Sequence, residues 1–422
     1  MKGDLMRPVL RAPRFGVALI SSALLTTFAL SACGSAHPAA AGGNGGTTAA
    51  APASSSSASP AASHPASSTP ATPVASSPAV AVPAGGPVPA GFAATSVTFV
   101  STDEAFVLGT APCSHAPCTS IVRTLDRGAS WRGLPAPVAP LGQPQGAAGP
   151  AVWGIRFATP SHGFVFGTGL WETTDGGEHW NAVIAPLGSI LSLEVIDGQV
   201  LALTAPCQTQ GGCGQTGTLM RRALSGESWS KVAAVSNPRL ISTQARVAAL
   251  LDGTSVLVTS DGGQSYRIQA TPCTTEGVSM ASSVAVTGPD SLALLCAGDA
   301  GMGSVTKTLY VSDDLGAHWT RAGSPARGGD PLAIAAGTPA HLVVAAESGA
   351  SWLYFSGNSA ASWGTAYFDG DGGQGFNDLG FTTTSDGVVV HGPALNDNNH
   401  DGRPGQLLLT SDGGATWHVV HF

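Results

Sequence analysis

The chain has 422 residues, 43% of them hydrophobic and only 10% charged, with a formal net charge of −8 at pH 7. Asp and Glu number 26 against 18 Lys and Arg, and beyond the first 14 residues the basic ones form no cluster. Nucleic-acid binders need clustered cations, so a phosphate-binding surface is excluded, and neither His-Glu-x-x-His nor Gly-x-Ser-x-Gly occurs to mark a metalloprotease or a serine hydrolase.

The chain opens with Lys2, Arg7, Arg11 and Arg14 against one acid, Asp4, then an apolar run over residues 15–30. A basic start, a short apolar segment and a small-residue cleavage site make an export signal. The run is shorter than the roughly 20 residues that span a bilayer, and Ser and Thr interrupt it. Its ending, Leu30-Ser31-Ala32-Cys33, resembles the bacterial lipobox. That resemblance implies removal of residues 1–32, lipidation of Cys33 and an extracytoplasmic, membrane-anchored protein. Losing four basic residues and one acid deepens the formal charge from −8 to −11, so the acyl chains must do the anchoring. From Gly34 to about Ala90 the chain is almost only Ala, Ser, Pro, Thr and Gly, without Asp, Glu, Lys or Arg. Such a segment has too little to bury to offset its ordering entropy. Residues 33–90 therefore read as a disordered, semi-stiff tether, open to O-glycosylation by its composition.

With Cys33 lipidated, six cysteines remain, an even number that suggests disulfides in an exported domain. The expected pairs are Cys113 with Cys118, Cys207 with Cys213, and Cys273 with Cys296. Their spacings do not match the Cys-x-x-Cys pattern of a zinc site.

From residue 91 onward one phrase returns at intervals. It reads Thr124-Leu-Asp126-Arg-Gly128-Ala-Ser-Trp131, then Thr173-Thr-Asp175-Gly-Gly177-Glu-His-Trp180, then Thr259-Ser-Asp261-Gly-Gly263-Gln-Ser-Tyr266. Ser312-Asp-Asp314-Leu-Gly316-Ala-His-Trp319 and Thr410-Ser-Asp412-Gly-Gly414-Ala-Thr-Trp417 complete the good copies. Worn copies end at Trp229, which keeps Gly226, and at Trp363, which keeps Ser356 with Asn358 in the Asp place. The seven closing aromatics stand 49, 49, 37, 53, 44 and 54 residues apart, spacings that suit one four-stranded blade each. Within each phrase the hydroxyl and the carboxylate can bond the turn's own backbone. The Gly supplies a backbone angle other residues resist, and the aromatic ring can be buried between neighbouring sheets. All of that is structural work, so the repeated Asp and Trp residues are poor catalytic candidates. Short β-rich runs precede each phrase (97–100, 105–108 and 121–124; then 154–157, 163–166 and 170–173), and no amphipathic helix competes with them.

The phrase is similar to the Asp box, Ser/Thr-x-Asp-x-Gly-x-x-Trp, of the BNR-type repeats of sialidases, sortilin-type receptors and photosystem II assembly factors. The resemblance covers about 330 residues and implies an all-β fold: a β-propeller over residues 91–422, with seven four-stranded blades, A to D. The boxes then form C–D turns on one face with the A–B turns. B–C loops and D–A links share the other face, where propellers usually bind ligands. The B–C loops expected there hold Cys113 to Cys118, Cys207 to Cys213, Gly298 to Ser304 and Asn396 to Gly405, the short disulfides either stiffening a recognition surface or simply stabilising an exported protein.

The last of these loops carries Asp397-x-Asn399-x-Asp401-Gly402, similar to a calcium-wrapping loop. Ca²⁺ takes several oxygen ligands, and Asp369 and Asp371 in the preceding D–A link can complete the shell. The alternative for these residues is a pair of solvated polar turns.

These features together point to a monomeric, non-catalytic binding or scaffold module for an extracytoplasmic protein or glycan. A glycoside hydrolase is the alternative, since Glu276, Asp299, Asp330 and Asp378 can share one surface and glycosidases need two carboxylates about 5–10 Å apart. Arg156, in Ile155-Arg156-Phe157, loosely echoes the sialidase Phe-Arg-Ile-Pro arginine, yet sialidases have six units and a full arginine cluster. The resemblance to photosystem assembly factors implies instead a chaperone for a membrane complex, a role that rests there on a basic patch this acidic chain lacks.

Overall fold

The repeated phrase folds as a turn that bonds to itself. In the first copy the Thr124 hydroxyl donates to Asp126 Oδ1 at 2.7 Å and accepts the Gly128 N–H at 2.9 Å, while Asp126 Oδ1 accepts the Ser130 N–H at 2.8 Å. The same three bonds recur around Asp175, Asp261, Asp314 and Asp412. The worn copy at Ser356 keeps them with Asn358, although Ser359 and Ala360 must then adopt left-handed φ of 55° and 64°. Glycine carries that conformation at no steric cost in most good copies.

A computed structural model describes residues 85–115, 118–142, 150–208, 212–274, 280–392 and 403–422. Between and around the turns lie seven four-stranded antiparallel sheets, each taking its strands in chain order, with a two-stranded hairpin inserted in the third. Blade 1 is β1 (Ala93–Phe99), β2 (Ala105–Thr110), β3 (Thr119–Thr124) and β4 (Arg132–Leu134), and blade 2 is β5 (Val152–Phe157), β6 (Gly163–Gly167), β7 (Leu170–Thr173) and β8 (Asn181–Ala182). Blade 3 comprises β9 (Ser189–Ile196), β10 (Gln199–Ala205), β13 (Thr216–Ala223) and β14 (Ser230–Ser236), with the small hairpin β11 (Cys207–Gln208) and β12 (Gly212–Cys213) between its middle strands. Blade 4 follows as β15 (Ser242–Gln244), β16 (Val247–Asp252), β17 (Ser255–Thr259) and β18 (Arg267–Ala270). Blade 5 is β19 (Met280–Val286), β20 (Leu292–Gly301), β21 (Ser304–Ser312) and β22 (Thr320–Ala322). Blade 6 is β23 (Asp330–Thr338), β24 (His341–Glu347), β25 (Ser351–Ser356) and β26 (Gly364–Asp369). Blade 7 is β27 (Phe376–Phe381), β28 (Gly387–His391), β29 (Gln406–Thr410) and β30 (His418–Val419). The chain is a seven-bladed β-propeller, as the spacing of the phrase predicts.

The hydrophobic core is divided among the joints between blades. Each of its seven clusters joins one blade to the next, and each has one closing aromatic packed against it: Trp180, Trp229, Tyr266, Trp319, Trp363, Trp417 and Trp131. Four of these indoles also donate to the preceding blade, Trp180 to Pro135 O, Trp229 to Ile184 O, Trp319 to Ala270 O and Trp363 to Gly323 O, at 2.9–3.1 Å. Tyr266 cannot copy this bond, and its hydroxyl is buried without a partner. Burial pushes that phenol up to about 12. Tyr266→Phe removes an unsatisfied polar atom, so its stability should equal or exceed the parent's by up to about 1 kcal/mol in urea titrations.

The A–B turns sit beside the box turns, bonded to them through the residue after each Asp or Asn. Arg127, Gly176, Gly262, Leu315, Ser359 and Gly413 donate their N–H to Asp103, Ser161, Arg246, Asp290, Ala340 and Ser385. The turn carboxyls are held below their usual range. Hydrogen bonds from Ser130, Ser265 and His318 do this at Asp126, Asp261 and Asp314, the last reaching about 2. Burial opposes the shift at Asp175 and Asp412, but bonds from His179 and Thr416 overcome it and bring Asp175 to about 2. Carboxyls lowered on folding contribute stability that is present above the unfolded pKa, near 3.9, and is lost as pH falls through the folded value. Melting temperature should therefore drop steeply between about pH 4 and pH 2, and less steeply in Asp175→Asn.

Candidate functional site

Around the axis the innermost strands are tied by polar contacts. A hydroxyl on one innermost strand accepts an N–H from the next blade: Ser96 from Ile155, Ser192 from Ile241, Ser242 from Val286 and Ser283 from Ile334. At the joint between the last blade and the first, Asp378 takes the acceptor's part. Its Oδ2 accepts the Val97 N–H at 2.9 Å and the Ser96 hydroxyl, and its Oδ1 receives Arg156 Nη2 at 2.6 Å. Arg156 Nε in turn meets Glu194 Oε1 at 3.0 Å, and Nη1 donates to the carbonyls of Val97 and Ile155. One guanidinium thus joins side chains or backbone of blades 7, 1, 2 and 3. Although burial works against its charge, the two carboxylates hold Arg156 firmly protonated, while burial raises the Glu194 carboxyl. Arg156 is spent on this internal network, which corrects its sequence reading as an echo of a substrate-binding arginine. Asp378 is committed to the same network.

On the opposite face from the boxes, all three expected disulfides form. Cys113–Cys118 closes the β2–β3 connection, and Cys207–Cys213 joins directly opposed residues of β11 and β12. Cys273–Cys296 is fully buried and ties the β18–β19 link to β20. The segment from Gly298 to Ser304, expected as a loop, is instead the end of a long hairpin. β20 and β21 stay paired as far as Gly301 and Ser304 and turn through Met302 and Gly303, both with positive φ. Two residues in this conformation suit the twist of a tight hairpin. Met302 stands fully exposed at the tip.

This hairpin forms one wall of a groove of about 750 Å³. The opposite wall is the β26–β27 link at Asp371, Gly372 and Gly373, and Asp330, Glu347 and Ser348 complete the lining. Asp330 on β23 and Glu347 on β24 are directly opposed in register, a placement that brings side chains within about 5 Å at Cβ. The walls close tightly on Ser348, because a Cβ on Gly303 would stand 2.6 Å from its hydroxyl and one on Gly373 would strike its carbonyl. Behind the hairpin, the β22–β23 link is held by Lys307. Its ammonium is within 2.7–3.3 Å of the carbonyls of Val305, Ala326, Arg327, Gly328 and Gly329. Burial lowers its pKa only to about 8, so it remains a donor at neutral pH.

No family model matches the sequence, and no curated protein matches it. Among solved structures, YCF48 bound to a D1 peptide is similar over 77% of this chain and 95% of its own, at 17% identity and a TM-score of 0.53. YCF48 from Cyanidioschyzon merolae is similar over 79% and 97%, at 14% identity and a TM-score of 0.49. The GH74 enzyme of Niastella koreensis is similar over 78% and 65%, at 11% identity and a TM-score of 0.32. At such identities the likeness is one of fold.

The remaining candidates separate. Of the carboxylates offered for a hydrolase, Asp330 lines the groove, Asp299 lies on β20, Asp378 is half-buried and tied into the axial network, and Glu276 lies outside the described residues. Glu347, which no sequence motif marks, joins Asp330. Of the calcium candidates, Asp397, Asn399 and Asp401 lie outside the described residues. Asp371 lines the groove, whereas Asp369 Oδ2 pairs with Arg403 Nη1 at 3.0 Å, with His391 Nε2 at 3.7 Å. A cation at Asp369 would have to displace that guanidinium. Among the described residues, Asp175, Glu178 and His179 bring potential metal-ligand atoms within 4.8 Å of one another. There Asp175 is already engaged by its own turn and by His179 Nδ1 at 2.7 Å.

Proposed function

We propose that this chain is an extracytoplasmic binding module of Asp-box type that holds a partner protein on the face of its B–C loops and D–A links, anchored through lipid on Cys33. The walled groove beside the β20–β21 hairpin carries this reading, because the polar clusters at the axis and in the box turns are consumed in holding the disk together. The fold it shares with YCF48, solved with a D1 peptide, supports protein binding as the mode. The lipobox-like ending at Cys33 and the uncharged segment after it support the anchor and the tether.

Two experiments test the two parts. Cys33→Ala should move the protein from the membrane fraction to the soluble one, and retention in the membrane would refute the lipid anchor. A photocrosslinking residue in place of Met302 should capture a discrete envelope protein, whereas one in place of the exposed Ile268 on outer strand β18 should not. Adducts at position 268 and none at 302 would overturn the assignment of the face.

A further inference from the structure

The chain reaches its first blade by a detour along the outer edge of the disk. Gly86 pairs with Gly133 on β4, the outermost strand of blade 1, each N–H donating to the other's carbonyl at 2.8 and 3.0 Å. Pro87 and Pro89 follow, and proline has no N–H to donate, so the pairing ends after a single bridge. From there the chain turns to the last blade. Val88 and Phe92 pack against the cluster that contains Val388, Val390, Leu407 and Leu409 of blade 7. The Phe92 ring meets Phe422 edge to face, with centroids 4.8 Å apart. Only then does β1 begin, where the Ala94 N–H donates to the Gly405 carbonyl at 3.0 Å. Residues 85–92 thus hold the edge of blade 1 at one end and blade 7 at the other. Between them and the end of blade 7 lies a cavity of about 290 Å³ whose lining includes Val88, Phe92, Val420 and Phe422.

We propose that residues 85–92 are a clasp on the ring, holding the joint between the last blade and the first shut, and that release of Gly86 from β4 is the first step in opening it. Gly85, Gly86 and Pro87 are exposed, so water competes directly for the two bonds of the bridge. Segments with few buried contacts and exposed backbone bonds open locally, well before the domain unfolds. Once Gly86 is free, Val88 and Phe92 can follow it away from blade 7, while the four strands of blade 1 stay paired with one another. The clasp therefore opens the seam without unfolding a blade.

Amide hydrogen exchange on the full chain tests this. A Cβ on Gly133 would stand 2.7 Å from the Pro87 carbonyl oxygen, and the Gly133 N–H and C=O are spent on Gly86. In an antiparallel ladder such a residue makes no hydrogen bonds to the strand on its other side, so Gly133→Ala dislodges the clasp and spares the bonds between β3 and β4. Exchange should then accelerate about tenfold at Ala94 and Val420, whose N–H groups bond Gly405 and Leu407. Gly177 and Gly263 in the box turns should keep the parent's rates. Gly86→Pro, which removes a donor outside every four-stranded sheet, should act in the same way and serves if Gly133→Ala does not fold. Gly364→Ala is the control, since a Cβ there, on outer strand β26, meets nothing within 4 Å, and it should leave Ala94 and Val420 at the parent's rates. Acceleration confined to Gly86 in the Gly133→Ala protein overturns the proposal, as do unchanged rates at Ala94 and Val420 or equal acceleration in every blade.

Discussion

Replacing Arg156 with methionine should destabilise the protein by about 3–5 kcal/mol, because removing one partner of a buried ion pair strands the other charge. Two carboxylates are stranded here, Glu194 and Asp378, each with a side chain less than one-fifth exposed. Arg156→Lys should recover little, since a single ammonium cannot reproduce a fork that reaches Glu194 through Nε and Asp378 through Nη2. Adding Glu194→Gln and Asp378→Asn to the methionine variant should return much of the loss. The pH dependence provides a second reading. Burial already raises the Glu194 carboxyl, and losing the guanidinium that opposes this pushes it further, so the folded state binds that proton more tightly than the unfolded chain. The methionine variant should therefore regain more stability than the parent as pH falls from about 7 to 5, since Glu194 is already raised in the parent. Urea unfolding at several pH values measures both effects, and a loss under 1 kcal/mol would show that the network does not bear on closure of the ring.

Lys307→Met should cost about 2–4 kcal/mol for a different reason. A hydrogen bond to a charged group contributes about 1.5–3 kcal/mol, and a buried acceptor left unmade costs a comparable amount. The ammonium serves five carbonyls, four of them in residues 326–329. Methionine fills the volume and bonds to none of them. The damage should be local, with hydrogen exchange accelerating at Val305 and Gly329, whose N–H groups hold the link to the hairpin, while the box turns stay protected. Uniform acceleration over all blades would contradict this assignment.

Much of the architecture is legible in the sequence because its signal is local. The box turn is closed by contacts between residues two to four apart, so its residue types must recur together, and seven recurrences give the blade count. The disulfides are equally accessible, since two of the pairs lie only 5 and 6 residues apart. The axial network is hidden for the opposite reason. Arg156 and Asp378 are 222 residues apart, and nothing near either one names the other. The groove is hidden too, because Glu347 reaches it only through the register of β23 with β24. The length of the hairpin also misleads, since Gly298-Asp-Ala-Gly-Met-Gly303 is turn-rich in composition while cross-strand pairing holds most of it extended.

No blade borrows a strand from another, so only non-covalent contacts hold the last blade to the first. That joint consists of aliphatic packing between β1–β3 and β28–β29, the Phe92, Phe422 and Trp131 rings, the Ala94 bond to Gly405, and the grip of Asp378. Parting it exposes two unlike but complementary faces on one molecule. Each can then meet its counterpart on another copy, a head-to-tail contact that need not close on itself and can grow as a fibre. The strength of this seam therefore governs solubility under heat as well as folding, and variants that weaken Asp378 or Arg156 should form swapped oligomers before they unfold.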